Sequence, residues 1–288
     1  MTARRPRRID AHQHFWRLAR GDYGWLTPAL APIYRDFEPA DLEPLLRRGG
    51  VEGTVLVQAA PTVAETRFLL ELAGRTPFVA GVVGWAPLDA PDAADVVAEL
   101  AADPRLRGLR PMLHDIPEVD WMLRPALAAG LRALAGRDLV FDALVRPPHL
   151  PHLRRLLDRH PELRTVIDHG AKPDIAAGRH ASWAPWADDM AGLARDTRAW
   201  VKLSGLVTED GPEWSVERLR PYVDHLLHHF GPDRMIFGSD WPVVTLRAGY
   251  GEWLAAAEAL LGGLERPARD RVLGENAVAC YRLDGVRP

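Results

Sequence analysis

The chain has 288 residues, 47% of them hydrophobic, and a formal net charge of -3. That is apolar material for one large domain or two small ones, and the mild acidity lacks the basic footprint of a nucleic-acid binder. The single cysteine, Cys280, excludes an intrachain disulfide and fits a reducing compartment. The basic start "ARRPRR" (3–8) reads as a solvated end, with no apolar h-region after it. No run of about eighteen apolar residues marks a membrane span. A cytoplasmic protein with neither nucleic-acid nor membrane partners is expected, and a homo-oligomer is left open.

In chain order, the first strand is expected at "RIDAH" (8–12). A loop over 15–38, rich in aromatic residues and prolines, leads from it to a helix at "PADLEPLLRRGG". Strand two, "GTVLVQA" (53–59), precedes the helix "TVAETRFLLELAGR", and strand three, "FVAGVVGW" (78–85), precedes "APDAADVVAELAAD". Strand four is "LRGLRPM" (106–112). Strand five, "LVFDALV" (139–145), precedes "PHLPHLRRLLDRHPEL". Strand six is "RTVIDHG" (164–170). Strand seven, "AWVKLSG" (199–205), precedes "SVERLRPYVDHLLHHFG", and strand eight is "RMIFGSD" (234–240). A last helix, "ERPARDRVLGENAVACYRL", closes the pattern. Short apolar runs ended by Gly, Pro or Asp read as buried strands, and their alternation with helices implies a parallel sheet. Eight such units in one chain of this length predict a single (β/α)₈ barrel over 1–288.

Barrel chemistry gathers at the C-terminal ends of strands, and ionisable residues stand there. Strand one ends in His12 and His14, which share a face because strand side chains alternate; Asp10 has the same parity but sits deeper, as a support. Strand four ends in Arg110, with His114 nearby. Strand five carries Asp142, strand six ends in His169, strand seven carries Lys202 and strand eight ends in Asp240. Such residues are costly in a core and expected in a site. Trp25, in the first loop, Trp85, ending strand three, and Trp241, after Asp240, are placed at the mouth. A long loop of this kind is usually functional, although its rings (Trp16, Tyr23, Trp25, Tyr34) could equally plug the barrel.

The motifs "IDAHQHFW", "VIDHGAKPDI", "WVKLSGLVTE" and "FGSDWPV", in order and each at a strand end, resemble the amidohydrolase superfamily. More narrowly, they resemble its sugar-lactonase branch, the L-fuconolactonase and L-rhamnonolactonase-like proteins, and "DYGWLTPALAPIYRDFEPADLEPLL" resembles that branch's first loop and helix. The resemblance runs from Ile9 to Tyr281. It implies a (β/α)₈ barrel, hydrolysis of a cyclic ester, and active-site positions at His12, His14, His169 and Asp240. Strand four, "GLRPMLHD", lacks the lysine or glutamate that often bridges two metals in the superfamily. Strand five offers Asp142 where many relatives carry a ligand histidine, which counts against a binuclear centre. "HGAKP" stands where relatives often read H-x-GKP, leaving His169 and Lys172 in place.

Lactone hydrolysis needs a base for water, a donor or cation on the carbonyl oxygen, and a proton for the leaving alkoxide. Asp240 is the candidate base. The three histidines can polarise the carbonyl directly as donors, or, with Asp240, hold one Zn²⁺-like divalent ion as a Lewis acid; the sequence leaves both open. Arg110, His114, Trp25, Trp85 and Trp241 are the candidate substrate contacts. For Arg110 a salt bridge to a loop acid weighs equally, and for His114 a satisfied loop histidine does. Asp142 is expected to hold Arg110 or a histidine, and Lys202 is left with no role, facing either way. His149, His152, His160, His180, His225, His228 and His229 are read as helix-surface residues. The expected substrate is a small neutral sugar lactone such as L-fucono-, L-rhamnono- or galactonolactone. The alternatives are a metal-dependent decarboxylase, a dicarboxylate-lactone hydrolase and, from another class, a non-catalytic binding barrel.

Overall fold

The structure is a computed structural model describing residues 7–283, without the side chains of 179–182; residues 3–6 of the basic start and the His180 side chain lie outside that description. Eight strands pair in sequence order, all parallel. They are β1 (Ile9–Gln13), β2 (Gly53–Val57), β3 (Val79–Gly84), β4 (Leu106–Leu109), β5 (Val140–Ala143), β6 (Thr165–Ile167), β7 (Trp200–Leu203) and β8 (Met235–Phe237). Nearly every strand residue is buried, as expected for parallel strands covered on both faces. The fold is the single (β/α)₈ barrel read from the sequence, with each strand inside its expected run or one residue beyond it.

The five helices expected beside strands are present, at Pro39–Gly49, Val63–Gly74, Ala93–Leu100, Leu150–Arg159 and Val216–Phe230. Caps fix two of them: Thr62 accepts from Glu65 N at 3.0 Å and Ser215 from Arg218 N at 3.3 Å, satisfying N–H groups a helix start leaves open. The closing helical segment starts at Arg266 and ends at Tyr281, with one π-helical stretch, Arg271–Glu275. Helices at Ala128–Gly136, Arg179–Asp196 and Tyr250–Leu260 had no clear signal. The first is dominated by Ala and Gly, the second carries Pro185, and the third has alanines on both its buried and its exposed face, Ala256 and Ala257 against Ala255 and Ala259, so the apolar stripe of each is blurred in the sequence.

The β8–β1 seam is joined at the mouth. Asp240 N donates to His12 O at 2.8 Å, and His14 N to Trp241 O at 2.7 Å. Below them the buried Asp10 carboxylate accepts from Ser239 N at 2.8 Å and His12 N at 3.2 Å, which is the supporting place its parity suggested. The 15–38 loop is closed at its base by paired Trp16 and Phe37 backbone hydrogen bonds of 3.1 and 3.0 Å. Trp16 is fully buried, Tyr23 is buried, Trp25 is half-buried and Tyr34 is exposed, so the loop is part plug and part rim. Among the described residues, no helix is long and apolar enough to cross a membrane.

Candidate active site

His12, His14, His169 and Asp240 come together at the mouth. Their elements are β1 and its last turn, the turn after β6 and the turn after β8. One carboxylate oxygen, Asp240 Oδ1, lies 3.3 Å from His14 Nε2, 3.7 Å from His12 Nε2 and 3.9 Å from His169 Nε2. All four residues are buried. Two glycines make room. A Cβ on Gly238 would lie 2.7 Å from His12 Cβ, and one on Gly205, whose φ is +64, would lie 2.6 Å from His169 Nδ1. His169 and Asp240 themselves adopt left-handed backbone, at φ 52 and 59, a cost that concentrates at functional sites.

Each imidazole is held on its far side. His14 Nδ1 donates to Val57 O at 2.8 Å. His169 Nδ1 is 2.8 Å from Ser204 Oγ. His12 Nδ1 is 3.1 Å from Lys202 Nζ and 3.4 Å from Asp168 Oδ1. Burial first, and for His12 the neighbouring Lys202 ammonium, hold His12 and His169 neutral, far below the usual imidazole range. Burial alone would raise the Asp240 carboxyl, but the His169 and His14 imidazoles and Lys172 outweigh it and hold the group below its ordinary value, so it is ionised at neutral pH.

Beneath His12 lies a closed set of charges. Lys202 Nζ sits 2.6 Å from Asp142 Oδ2 and 2.9 Å from Asp168 Oδ1, with all three side chains fully buried. Tyr281 Oη donates to Asp142 at 2.9 Å. Arg110 NH1 is 3.4 Å from Asp168 Oδ2 and 3.3 Å from His12 Nε2, while its NH2 and Nε bind Gln58 Oε1 at 2.8 and 3.3 Å. Two sequence readings change here. Lys202, given no role, faces the barrel interior against His12, and Asp142 holds Lys202 and Tyr281 rather than Arg110 or a histidine. Neither was legible, because the inward face of a strand buried on both sides cannot be told from its apolar pattern. For Arg110 the salt-bridge alternative is the arrangement found, to Asp168 at the end of β6.

Of the other candidate contacts, Trp25 and Trp85 line a cavity of about 520 Å³ beside the mouth, together with Trp121, which the sequence did not single out. Trp241 does not line it. Its ring is buried, edge-on to Phe37 at 5.2 Å and Phe15 at 6.1 Å, so packing accounts for its contacts. His114 is half-buried, 3.3 Å from Asp115 Oδ1. Burial and the surrounding cations, Arg110 first, push its imidazole down to about 3, so it is uncharged. Among the histidines read as surface residues, His149 is buried beside Arg146.

The residues fit a divalent cation. A neutral imidazole has one N–H, and His14 spends it on Val57 O, which leaves the bare Nε2 facing a carboxylate oxygen at 3.3 Å. Two acceptors at that distance call for a proton or a cation between them, and a backbone carbonyl on the other nitrogen is the usual support of a metal-ligand histidine. His12, His14 and Asp240 offer ligand atoms within 4.8 Å of one another, as do His12, Asp168 and His169. A barrel whose mouth gathers three imidazoles around one carboxylate is the architecture of metal-assisted and water-activating hydrolases.

The chain belongs to the amidohydrolase family, whose match covers residues 9–283. It is 50% identical over 281 residues to a Burkholderia ambifaria protein named L-fucono-1,5-lactonase, with 96% of each chain covered. It is 37% identical over 290 residues to a protein of the same name from Burkholderia multivorans, again with 96% of each covered. A crystal structure of a Burkholderia multivorans amidohydrolase with bound zinc superposes with a TM-score of 0.90 at 35% identity, covering 96% of this chain and 99% of that one.

Proposed function

We propose that this protein hydrolyses a neutral sugar lactone of the L-fucono-1,5-lactone class to the open-chain aldonic acid. The observation that carries this is the convergence of His12, His14 and His169 Nε2 on Asp240 Oδ1 within 3.3 to 3.9 Å. The two relatives named for that lactone point to the same substrate. Asp240, ionised and acceptor-only, takes a proton from water as the water oxygen attacks the lactone carbonyl. His169, whose Nδ1 can accept from the Ser204 hydroxyl, can present its Nε2 N–H to the carbonyl oxygen as negative charge gathers on it, and burial strengthens that contact. When the C–O bond to the ring oxygen breaks, Asp240 returns the proton to the leaving alkoxide. His14, His12 and Asp240, with His169 beside them, would hold a zinc-like divalent ion, which when bound supplies Lewis acidity at the carbonyl.

The described cations support neutrality of the substrate. Arg110 and Lys202 are buried and paired, and Lys172 pairs with Glu209, whereas each buried carboxylate of a dicarboxylate lactone would need a cation of its own. Trp25 and Trp85 give the sugar an apolar wall, including a place for the methyl group of a 6-deoxy sugar. Comparing kcat/KM on neutral sugar lactones with lactones bearing two carboxylates tests the reading. The neutral set is expected to be preferred, and a tenfold preference for the charged set overturns it.

A further inference from the structure

The cavity beside the mouth is walled by residues other than those that react. It has a volume of about 520 Å³, and neither the three histidines nor Asp240 line it. The lactone carbonyl must lie over the histidines, so the cavity is open to whatever the lactone carries. Its size falls within the range of whole small-molecule sites. Trp25, Trp85 and Trp121 come from three separate segments: the first loop, the end of β3 and the segment after β4. Two of their indole N–H groups are already engaged, Trp25 with Ala59 O at 2.7 Å and Trp121 with Asp89 Oδ2 at 3.2 Å. These bonds hold the rings in place as apolar surfaces.

Among the described residues, the charged ones lining the cavity are Asp22, Asp89 and Asp115, with no lysine, arginine or histidine beside them. Asp22 pairs with Arg20 at 2.7 Å and Asp115 with the uncharged His114. Carboxylates accept hydrogen bonds only, so this lining suits a guest with hydroxyl donors and excludes an anionic one. The three indoles make no ring contact with one another among the described residues.

We propose that this cavity is a second sugar subsite, which takes a neutral glycosyl group attached to the lactone, so that glycosylated aldonolactones are substrates of the enzyme. The proposal rests on the lactonase reading and extends it from a single sugar to the lactone end of a short saccharide. The glycosyl group stacks its C–H face on Trp121, across the cavity from the Trp25 and Trp85 wall of the lactone sugar, and gives its hydroxyls to the rim carboxylates.

The test compares L-fucono-1,5-lactone with the same lactone carrying a β-galactosyl group, first on the wild-type protein. The substituted lactone is expected to have a KM about tenfold lower, the equivalent of one good aromatic stacking contact, with kcat within about threefold. Trp121→Ala is expected to abolish that gain and leave kcat/KM on the simple lactone within about twofold, with Trp121→Phe restoring part of it. The proposal is overturned if the substituted lactone gains nothing over the simple one, or if Trp121→Ala lowers both substrates equally. It is also overturned if tetramethylammonium competes better than methyl galactoside. The wild-type comparison does not depend on the variant folding. No turnover of the simple lactone would instead bring down the lactonase reading itself.

Discussion

Two buried carboxylates on opposite sides of the barrel mouth behave in opposite ways. Asp168, at the end of β6, is fully buried, yet the Lys202 ammonium at 2.9 Å and the His12 imidazole outweigh the burial and hold it far below the usual carboxylate range. Glu65, at the start of the helix Val63–Gly74, is also buried, but among the described residues no cation pairs with it. It accepts from the Ala59 and Ala60 backbone N–H groups, yet burial still pushes it up to about 7. Under the histidines, Asp168 and Lys202 are paired and stay charged, and they hold the imidazole of His12. Under the tryptophan wall, a single carboxyl props the turn whose Ala59 O receives Trp25, and its charge depends on pH.

The largest expected effect lies where the two sides meet. Asp240→Asn keeps the shape of the site and removes the base, so turnover should drop by about 10² to 10⁴ in a proton-release assay; near-wild-type turnover would remove Asp240 from the role. Next is the paired side itself. Lys202→Met leaves Asp142 and Asp168 buried without their ammonium, a loss expected to cost about 3–5 kcal/mol of stability in urea melts. A wild-type midpoint would mean that the network is not coupled to the fold. Third, zinc added to metal-stripped protein at about a hundred times its Kd should stabilise it by about 2.7 kcal/mol, seen as a raised Tm, and His14→Ala should lose that response. An identical response in the variant would place the ion elsewhere.

The smallest effect belongs to the wall. Because the folded pKa of Glu65 lies above its ordinary 4.5, at about 7, the folded state favours the protonated form. Its contribution is complete below the unfolded value and is lost as pH rises through 7. Wild-type Tm should therefore fall between pH 5 and 8 by more than the Tm of Glu65→Gln, and parallel curves would contradict the assignment.

The barrel was legible because strand and helix signals alternate so regularly. His12, His14, His169 and Asp240 were legible because ionisable residues ended apolar runs. Lys202 and Asp142 were not, since a fully buried strand carries no inside-outside alternation to read. The roles expected of Arg110 and Trp241 at the mouth met partners that no local pattern could announce: Asp168 is 58 residues from Arg110, and Phe15 and Phe37 reach Trp241 from the far end of the chain. Trp121 went unmarked because it lies in a short turn after β4, away from any strand end, and only the folded loops bring it to the cavity.

The seam between β8 and β1 ties catalysis to the order of synthesis. His12 O and His14 N bond to Asp240 N and Trp241 O, and Asp10 reaches Ser239 across 229 positions. During synthesis His12 and His14 cannot face Asp240, the carboxylate the reaction needs, until residue 240 has left the ribosome. Activity is therefore a timer for completion. An interrupted translation product or a half-barrel fragment is silent, and two inactive pieces divided in any surface loop between 17 and 234 should regain turnover only on reassociating, which makes the enzyme its own reporter of assembly.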